Sequence, residues 1–273
     1  MSLNTGSVLI GTSGYSYDDW VGCFYPTDLP RTDYLGYYAR EFPVVEINYT
    51  YYRQPNPETL RRMIDKTPQE FRFSVKAHRS LTHETSSNCE QDIAIFKQGI
   101  APLVDSARIC AVLFQYPYSF HYTPQSRRFL HKLLSEFEGF PRAVEFRHRE
   151  WQRDSVTDGL RDMNVCQVSV DEPKLANLPE PSATATADFA YVRFHGRNGE
   201  NWWTGDNVTR YDYLYNSEEL NEWVPRFQDF LKHCKSVYLF FNNHSRAQAV
   251  TNARMMRQII EDNPQNPTGG DLC

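Results

Sequence analysis

The first chemical signal in this 273-residue chain is a spacing. Polar side chains stand two residues apart at the ends of short β-rich segments: Glu46 and Asn48, Lys76 and His78, Glu145 and Arg147, Ser169 and Asp171, Arg193 and His195, with Asn242 following Phe240. Side chains two apart in a strand share a face, so each pair points one way while its apolar neighbours point the other. The residue types are those of proton transfer and anion binding. Glu46 or Glu145 could serve as general acid or base, tuned by burial and adjacent cations, and His195 or His78 could move protons. Lys76 could hold an anion or, with a depressed pKa, form a Schiff base.

The expected ligand contacts are Asn48, Tyr52, Arg53, Gln115, Arg147, Asp171, Arg193, Trp202, Trp203, Asn242 and Asn243. Counting Arg53, Lys76, Arg147, Arg193 and Arg197 against Glu46, Glu145 and Asp171 gives a local net charge of +2 in a chain of net −5. That contrast points to a carboxylate or phosphate ligand. Two loops have the composition of an anion cradle, Gly196-Arg197-Asn198-Gly199 and Asn242-Asn243-His244-Ser245. Aromatic residues crowd the same loops: Tyr15, Tyr17, Trp20, Phe24 and Tyr25, then Tyr49, Tyr51 and Tyr52, then Trp202, Trp203, Tyr211, Tyr213 and Tyr215. Such rings can stack on a sugar or base, or simply pack the loops down. His83 and Cys23 are weaker candidates, Cys23 because no evident base activates it. The plainer reading of the charged set is an ion-pair network that closes off the interior, because buried charges need partners.

Positioning these residues takes eight strands: Val8–Ser13, Val44–Asn48, Phe71–His78, Arg108–Gln115, Arg142–Arg147, Asn164–Asp171, Phe189–His195 and Ser236–Asn242. Helix-forming stretches separate most of them, and strand–helix alternation implies parallel strands. Asn56-Pro57 and Thr123-Pro124 read as caps before a proline at the first helical position. Ser217 and Ser245 should open two further helices, with Pro225 kinking the first. Pro173 to Asp188 is Pro- and Ala-rich and should lack a full helix. The pattern predicts an α/β fold of the (β/α)8 TIM-barrel type, an eight-stranded parallel barrel over residues 8–262 with long irregular loops at the C-terminal face, and a flexible tail over 263–273. In a barrel the outward face packs on helices, so the polar set should point inward, at the end where TIM-barrel chemistry sits.

Composition narrows the classes. The acidic balance argues against a protein that grips bulk nucleic acid. Six cysteines without a CxxC pair read as free thiols in a reducing compartment. No signal-like N-terminus or membrane-length apolar run appears, which predicts a cytoplasmic chain with no membrane partner.

Several strings, taken in order, resemble the YecE-like family, a TIM-barrel family without a settled activity. They are Gly11-Thr-Ser-Gly-Tyr-Ser-Tyr with Trp20 and Phe24-Tyr-Pro, Glu46-Ile-Asn-Tyr-Thr-Tyr-Tyr-Arg-Gln-Pro, and Phe73-Ser-Val-Lys-Ala with Thr82-His83. Leu113-Phe-Gln-Tyr-Pro, Val144-Glu-Phe-Arg-His with Trp151, Tyr191-Val-Arg-Phe-His-Gly and Phe240-Phe-Asn-Asn complete the series. The resemblance covers roughly Val8 to Ile260. Tyr15 and Tyr51 stand where the family more often has Trp and Phe. It implies the barrel and no reaction.

The expectation is an enzyme using acid/base chemistry on a small anionic, ring-bearing substrate such as a sugar phosphate or nucleotide, with no cofactor predicted. One alternative is a metal-dependent phosphodiesterase resembling endonuclease IV, with a single divalent metal on His78, His195, Glu145 and Asp171. Interleaved Lys and Arg oppose a multi-metal centre. The other is a non-enzymatic nucleotide or nucleic-acid binder. Oligomeric state is not legible in the sequence.

Overall fold

In the computed structural model, residues 7–84, 89–206 and 208–263 are described. The expected tail lies outside them from residue 264 onward. Among the described residues nine strands form one sheet: β1 Ser7–Ser13, β2 Val44–Ile47, β3 Arg72–Lys76, β4 Ile109–Gln115, β5 Arg142–Glu145, β6 Val165–Gln167, β7 Ser169–Asp171, β8 Phe189–Phe194 and β9 Ser236–Phe241. Every pairing is parallel, in the order β6-β5-β4-β3-β2-β1-β9-β8-β7. The sheet is barrel-shaped and nearly closed, in the manner of a TIM barrel.

The ninth strand arises because the expected sixth strand is broken. Its first half pairs with β5 (Arg142 opposite Val165) and its second half with β8 (Ser169 opposite Val192). At the seam the Thr186 hydroxyl accepts from Gln167 N (2.7 Å) and donates to Val165 O (2.7 Å), replacing a strand neighbour that is not there. No helix follows this stave, since Pro173 to Asp188 forms none.

Around the sheet run α1 Tyr34–Tyr38, α2 Pro57–Asp65, α3 Arg79–Thr82, α4 Cys89–Asp105, α5 Pro124–Glu136, α6 Asp154–Asp162, α7 Ser217–Asn221, α8 Val224–Leu231 and α9 Gln248–Glu261. The caps that precede a proline form as expected, with Asn56 accepting from Thr59 N and Thr123 from Ser126 N. Two helix starts differ from expectation. Asn216, not Ser217, caps α7, in a reciprocal pair with Glu219. Ser245 opens a 3-10 turn that ends in left-handed Arg246 and Ala247, so α9 begins only at Gln248. Pro225 falls in the first turn of α8 and separates it from α7 instead of kinking one helix. At the N-terminal face of the barrel Arg142 donates to Leu134 O and Met163 O, tying together the C-terminal ends of α5 and α6.

The barrel interior is layered. Val44, Ala111, Leu113, Ala143, Cys166, Val168, Val170, Tyr191 and Phe240 pack its lower part. Above them lies a polar tier of Glu46, Gln115, Glu145 and Arg193, all buried.

Candidate functional site: a cationic, aromatic-walled cavity over a buried ion-pair tier

At the C-terminal ends of the strands a cavity of about 650 Å³ opens above the polar tier. Lys76, Arg147, Arg193 and Arg210 bring positive charge to its wall; Asn48, Gln115 and Asn242 bring carboxamides. Rings enclose it: Tyr17, Tyr51, Tyr52, Tyr118, Trp202, Trp203 and Tyr211, with His83 and His244 between them.

Of the residues expected at the site, nine line this space: Asn48, Tyr52, Lys76, Gln115, Arg147, Arg193, Trp202, Trp203 and Asn242. Glu46, Glu145 and His195 lie directly behind it. Arg193 is the hinge of the tier, its two terminal nitrogens donating to Glu46 (2.7 Å) and Glu145 (2.6 Å). The second oxygen of Glu46 accepts from the Tyr191 hydroxyl at 2.6 Å. Glu145 also pairs with Arg147 Nε at 2.5 Å and faces His195 Nε2 at 3.3 Å. Burial alone would raise the Glu145 pKa, but Arg147, Arg193 and His195 together hold its carboxyl well below the usual range. It stays ionised and cannot act as an acid. His195 is pushed down to about 3 by burial and by Arg147 against the pull of Glu145, so the ring is neutral. The Asn242 amide donates to its Nδ1 (3.1 Å), which leaves the ring proton on Nε2, facing Glu145.

Lys76 is held differently. Its amine donates to Gln115 Oε1 (2.8 Å) and stands 4.5 Å from the centroid of the Tyr51 ring. Among the described residues no carboxylate lies within 4 Å of it, because arginines occupy those of the tier. Burial first, then Arg193 and Arg147, bring its pKa down to about 7 despite Glu145 and Glu46. Several polar atoms on the wall have no hydrogen-bond partner among the described residues: Asn48 Oδ1, Arg193 Nε and Arg210 Nε. Buried polar atoms are ordinarily paired, so these are sites a ligand can satisfy.

Four expected residues stand elsewhere. Arg53 is exposed and does not reach the cavity. His78 caps α3, its Nδ1 accepting from Ser80 N. Asn243 is consumed by structure, donating to Tyr213 O and Asn252 Oδ1. Asp171 points away from the barrel interior, contrary to the inward face expected for it and Ser169. With no helix behind this stave, its outer face meets donors instead of apolar side chains. Asp171 takes bonds from Arg197 (2.9 and 2.8 Å), the Tyr215 hydroxyl (2.8 Å) and Trp223 Nε1 (2.7 Å). Arg197 is thereby committed to Asp171 and Glu222, so the Gly196–Gly199 loop brings no cation to the cavity. The inward position goes to Glu172, which pairs with Arg147 at 3.1 Å. Burial, abetted by Glu145, pushes Glu172 up to about 8 against Arg147, so it carries a proton at neutral pH.

The ligand set considered for a single metal is therefore not assembled, since His195 and Glu145 adjoin but His78 and Asp171 are turned to other partners. Among the described residues, His121, His148 and Glu150 group their ligating atoms within 4.8 Å. They are already engaged, His148 Nδ1 with Glu150 N and the Glu150 carboxylate with Tyr122 N and His121.

Six of the thirteen expected rim aromatics line the cavity, whereas Trp20, Phe24, Tyr25 and Tyr215 are buried away from it and pack the loops. Tyr118, Arg210 and Glu172 were missed by sequence reasoning, whereas His244 belongs to the cradle loop expected after the last strand. Tyr118 and Arg210 sit in loops with no periodicity to orient them. Glu172 stood one residue beyond the alternation that had been followed.

Comparison with known proteins fits this geometry. A family profile described as "Protein of unknown function DUF72" matches residues 9–271. The UPF0759 protein YunF of Bacillus subtilis is 27% identical over 270 residues, covering 93% of this chain and 95% of that protein. The UPF0759 protein YecE of Escherichia coli O157:H7 is 29% identical, covering 89% and 88%. Among solved structures, a DUF72 family protein of Thermotoga maritima superposes with a TM-score of 0.87 at 38% identity, covering 93% of this chain and 99% of that one. One from Enterococcus faecalis gives 0.82 at 26% identity, with coverage of 97% and 100%.

Proposed function

This chain belongs to the DUF72 family, and from that premise we propose that it is an enzyme acting by acid/base chemistry on a small anionic, ring-bearing substrate such as a sugar phosphate or nucleotide. We take β6 and β7 as one interrupted stave of a (β/α)8 barrel, with catalysis at the C-terminal face that such barrels use. One observation carries the reading: a lysine with no carboxylate within 4 Å among the described residues shares the wall of an aromatic-lined cavity with two arginines. An anion entering there completes the charge balance of Lys76, Arg147 and Arg193, and a flat ring finds faces in Tyr51, Trp202 and Tyr211.

The proton-moving groups in this reading are Lys76 and His83 in place of the two glutamates. Lys76 has a pKa near neutrality. His83 is held down at about 4 by burial and by the charges of Lys76 and Arg147, so it is an unprotonated base. Glu46 and Glu145 position the arginines. The test is a thermal-stabilisation screen of phosphorylated sugars and nucleotides on the whole chain, followed by turnover assays on any hit. Stabilisation that Arg147→Met reduces at least tenfold in apparent affinity supports the site. No stabilisation by any member would contradict it.

A second reading, nucleotide binding without turnover, is favoured by the locked state of Glu145. It predicts the same stabilisation with no chemical change in the hit.

A further inference from the structure

We propose that Lys76 forms a covalent imine with the carbonyl carbon of an anionic aldehyde or ketone, an inference that rests on reading the cavity as an anion site. The geometry is that of a nucleophile, not of an ion-pair partner. A lysine placed to bind charge within the fold would face a carboxylate, yet Glu46 and Glu145 give their oxygens to Arg193, Tyr191 and Arg147. The Lys76 amine is steered by a neutral acceptor, Gln115 Oε1, and by the Tyr51 ring, both of which line the cavity with it. Arg147 and Arg193 line the same cavity, where they can hold a phosphate or carboxylate while the carbonyl of the same molecule meets the amine.

The step balances without a co-reactant. The amine nitrogen attacks the carbonyl carbon, giving a carbinolamine. The C–O bond then breaks as the C=N bond forms, and both amine hydrogens leave with the oxygen as water. Asn48 Oδ1, which has no partner within the described protein, can accept from the carbinolamine hydroxyl. His83 packs edge-on to Tyr51 at 4.9 Å and is unprotonated, so it can carry a proton between nitrogen and oxygen. With a pKa of about 7, roughly half of Lys76 is free amine at neutral pH. An ordinary lysine is free in only about one molecule in 2,500.

Pyridoxal 5′-phosphate, an aldehyde, ring and phosphate in one molecule, is a suitable probe. The whole chain at pH 7 is treated with less than one equivalent, reduced with borohydride and mapped by peptide mass spectrometry. Its other lysines, Lys66, Lys97, Lys132, Lys174, Lys232 and Lys235, serve as internal references. The expected result is at least tenfold more label on Lys76 than on any of these, reduced by competing inorganic phosphate and by replacing the probe with pyridoxal. If the probe stabilises the fold but Lys76 carries no more label than the references, the imine is overturned and the anion site stands. If the probe neither stabilises nor labels Lys76, both fail.

Discussion

At the scale of single residues, the proposed site separates an amine left open to a ligand from the charged groups that hold the wall in place. Glu145 belongs to the second kind. Removing its charge leaves Arg147 and Arg193 facing each other across a buried tier, and breaking such a pair costs about 3–5 kcal/mol. Glu145→Gln should therefore lower the free energy of urea unfolding by that amount, and a loss under 1 kcal/mol would show that the tier is not held as described. Lys76 behaves oppositely. Its folded-state pKa of about 7 lies below the ordinary lysine value, so the unfolded chain binds the extra proton between those two pH values. The penalty is complete below pH 7 and is relieved as pH rises toward 10. Lys76→Met should accordingly match or exceed the parent in Tm at pH 6, with the difference narrowing steadily above pH 7. A gap independent of pH would contradict the lowered pKa. Glu172, raised to about 8, contributes stability that fades as pH climbs from the ordinary glutamate value through 8, so Glu172→Gln should gain on the parent over that range. A parallel pair of Tm profiles would refute it.

At the scale of elements, strand alternation was readable where a helix covers the outer face and misleading where none does. Glu46, Lys76, Glu145, Arg193 and Asn242 point inward or line the cavity because their apolar neighbours must meet helices. The sixth stave has no helix, so Val168 and Val170 turn in and Asp171 turns out. The absence of a helix after it was legible in Pro173 to Asp188; the facing of the strand was not, because it depends on Tyr215 and Trp223 arriving from elements distant in sequence. Asp171 instead anchors the long loop 196–215 through Tyr215 and Arg197. Replacing it by Ala strands Arg197 and the Trp223 donor, and should raise the rate of limited proteolysis within 196–215 severalfold while the barrel stays folded. Unchanged cleavage would mean that the loop is held by other contacts. Gly196 begins that loop at φ +89°, where a Cβ would lie 2.6 Å from Tyr213 Cβ, so the turn requires glycine.

At the scale of the whole molecule, the sequence already carried the parallel barrel, its alternation of strands and helices, and the end at which the polar set collects. It did not carry the depth of each side chain. Glu46 and Lys76 look equivalent as inward residues, but one lies under the Arg193 guanidinium and the other opens on the cavity, a difference set by contacts across strands distant in sequence. No helix among the described residues is long and apolar enough to cross a membrane. The acidic chain nonetheless concentrates Lys76, Arg147, Arg193 and Arg210 around one concavity, with its compensating glutamates behind the wall. On the function proposed above, such a field would draw in a small anion without inviting a long polyanion. On the proposed reading Lys76 is an amine with no carboxylate within 4 Å among the described residues, open to an anion. NMR titration of the lysine ε-carbons in the isotope-labelled chain, with and without inorganic phosphate, tests this most directly. One lysine signal, absent from Lys76→Met, should titrate near pH 7 and move to higher pH when phosphate is added. All lysines titrating near 10, unmoved by phosphate, would contradict it.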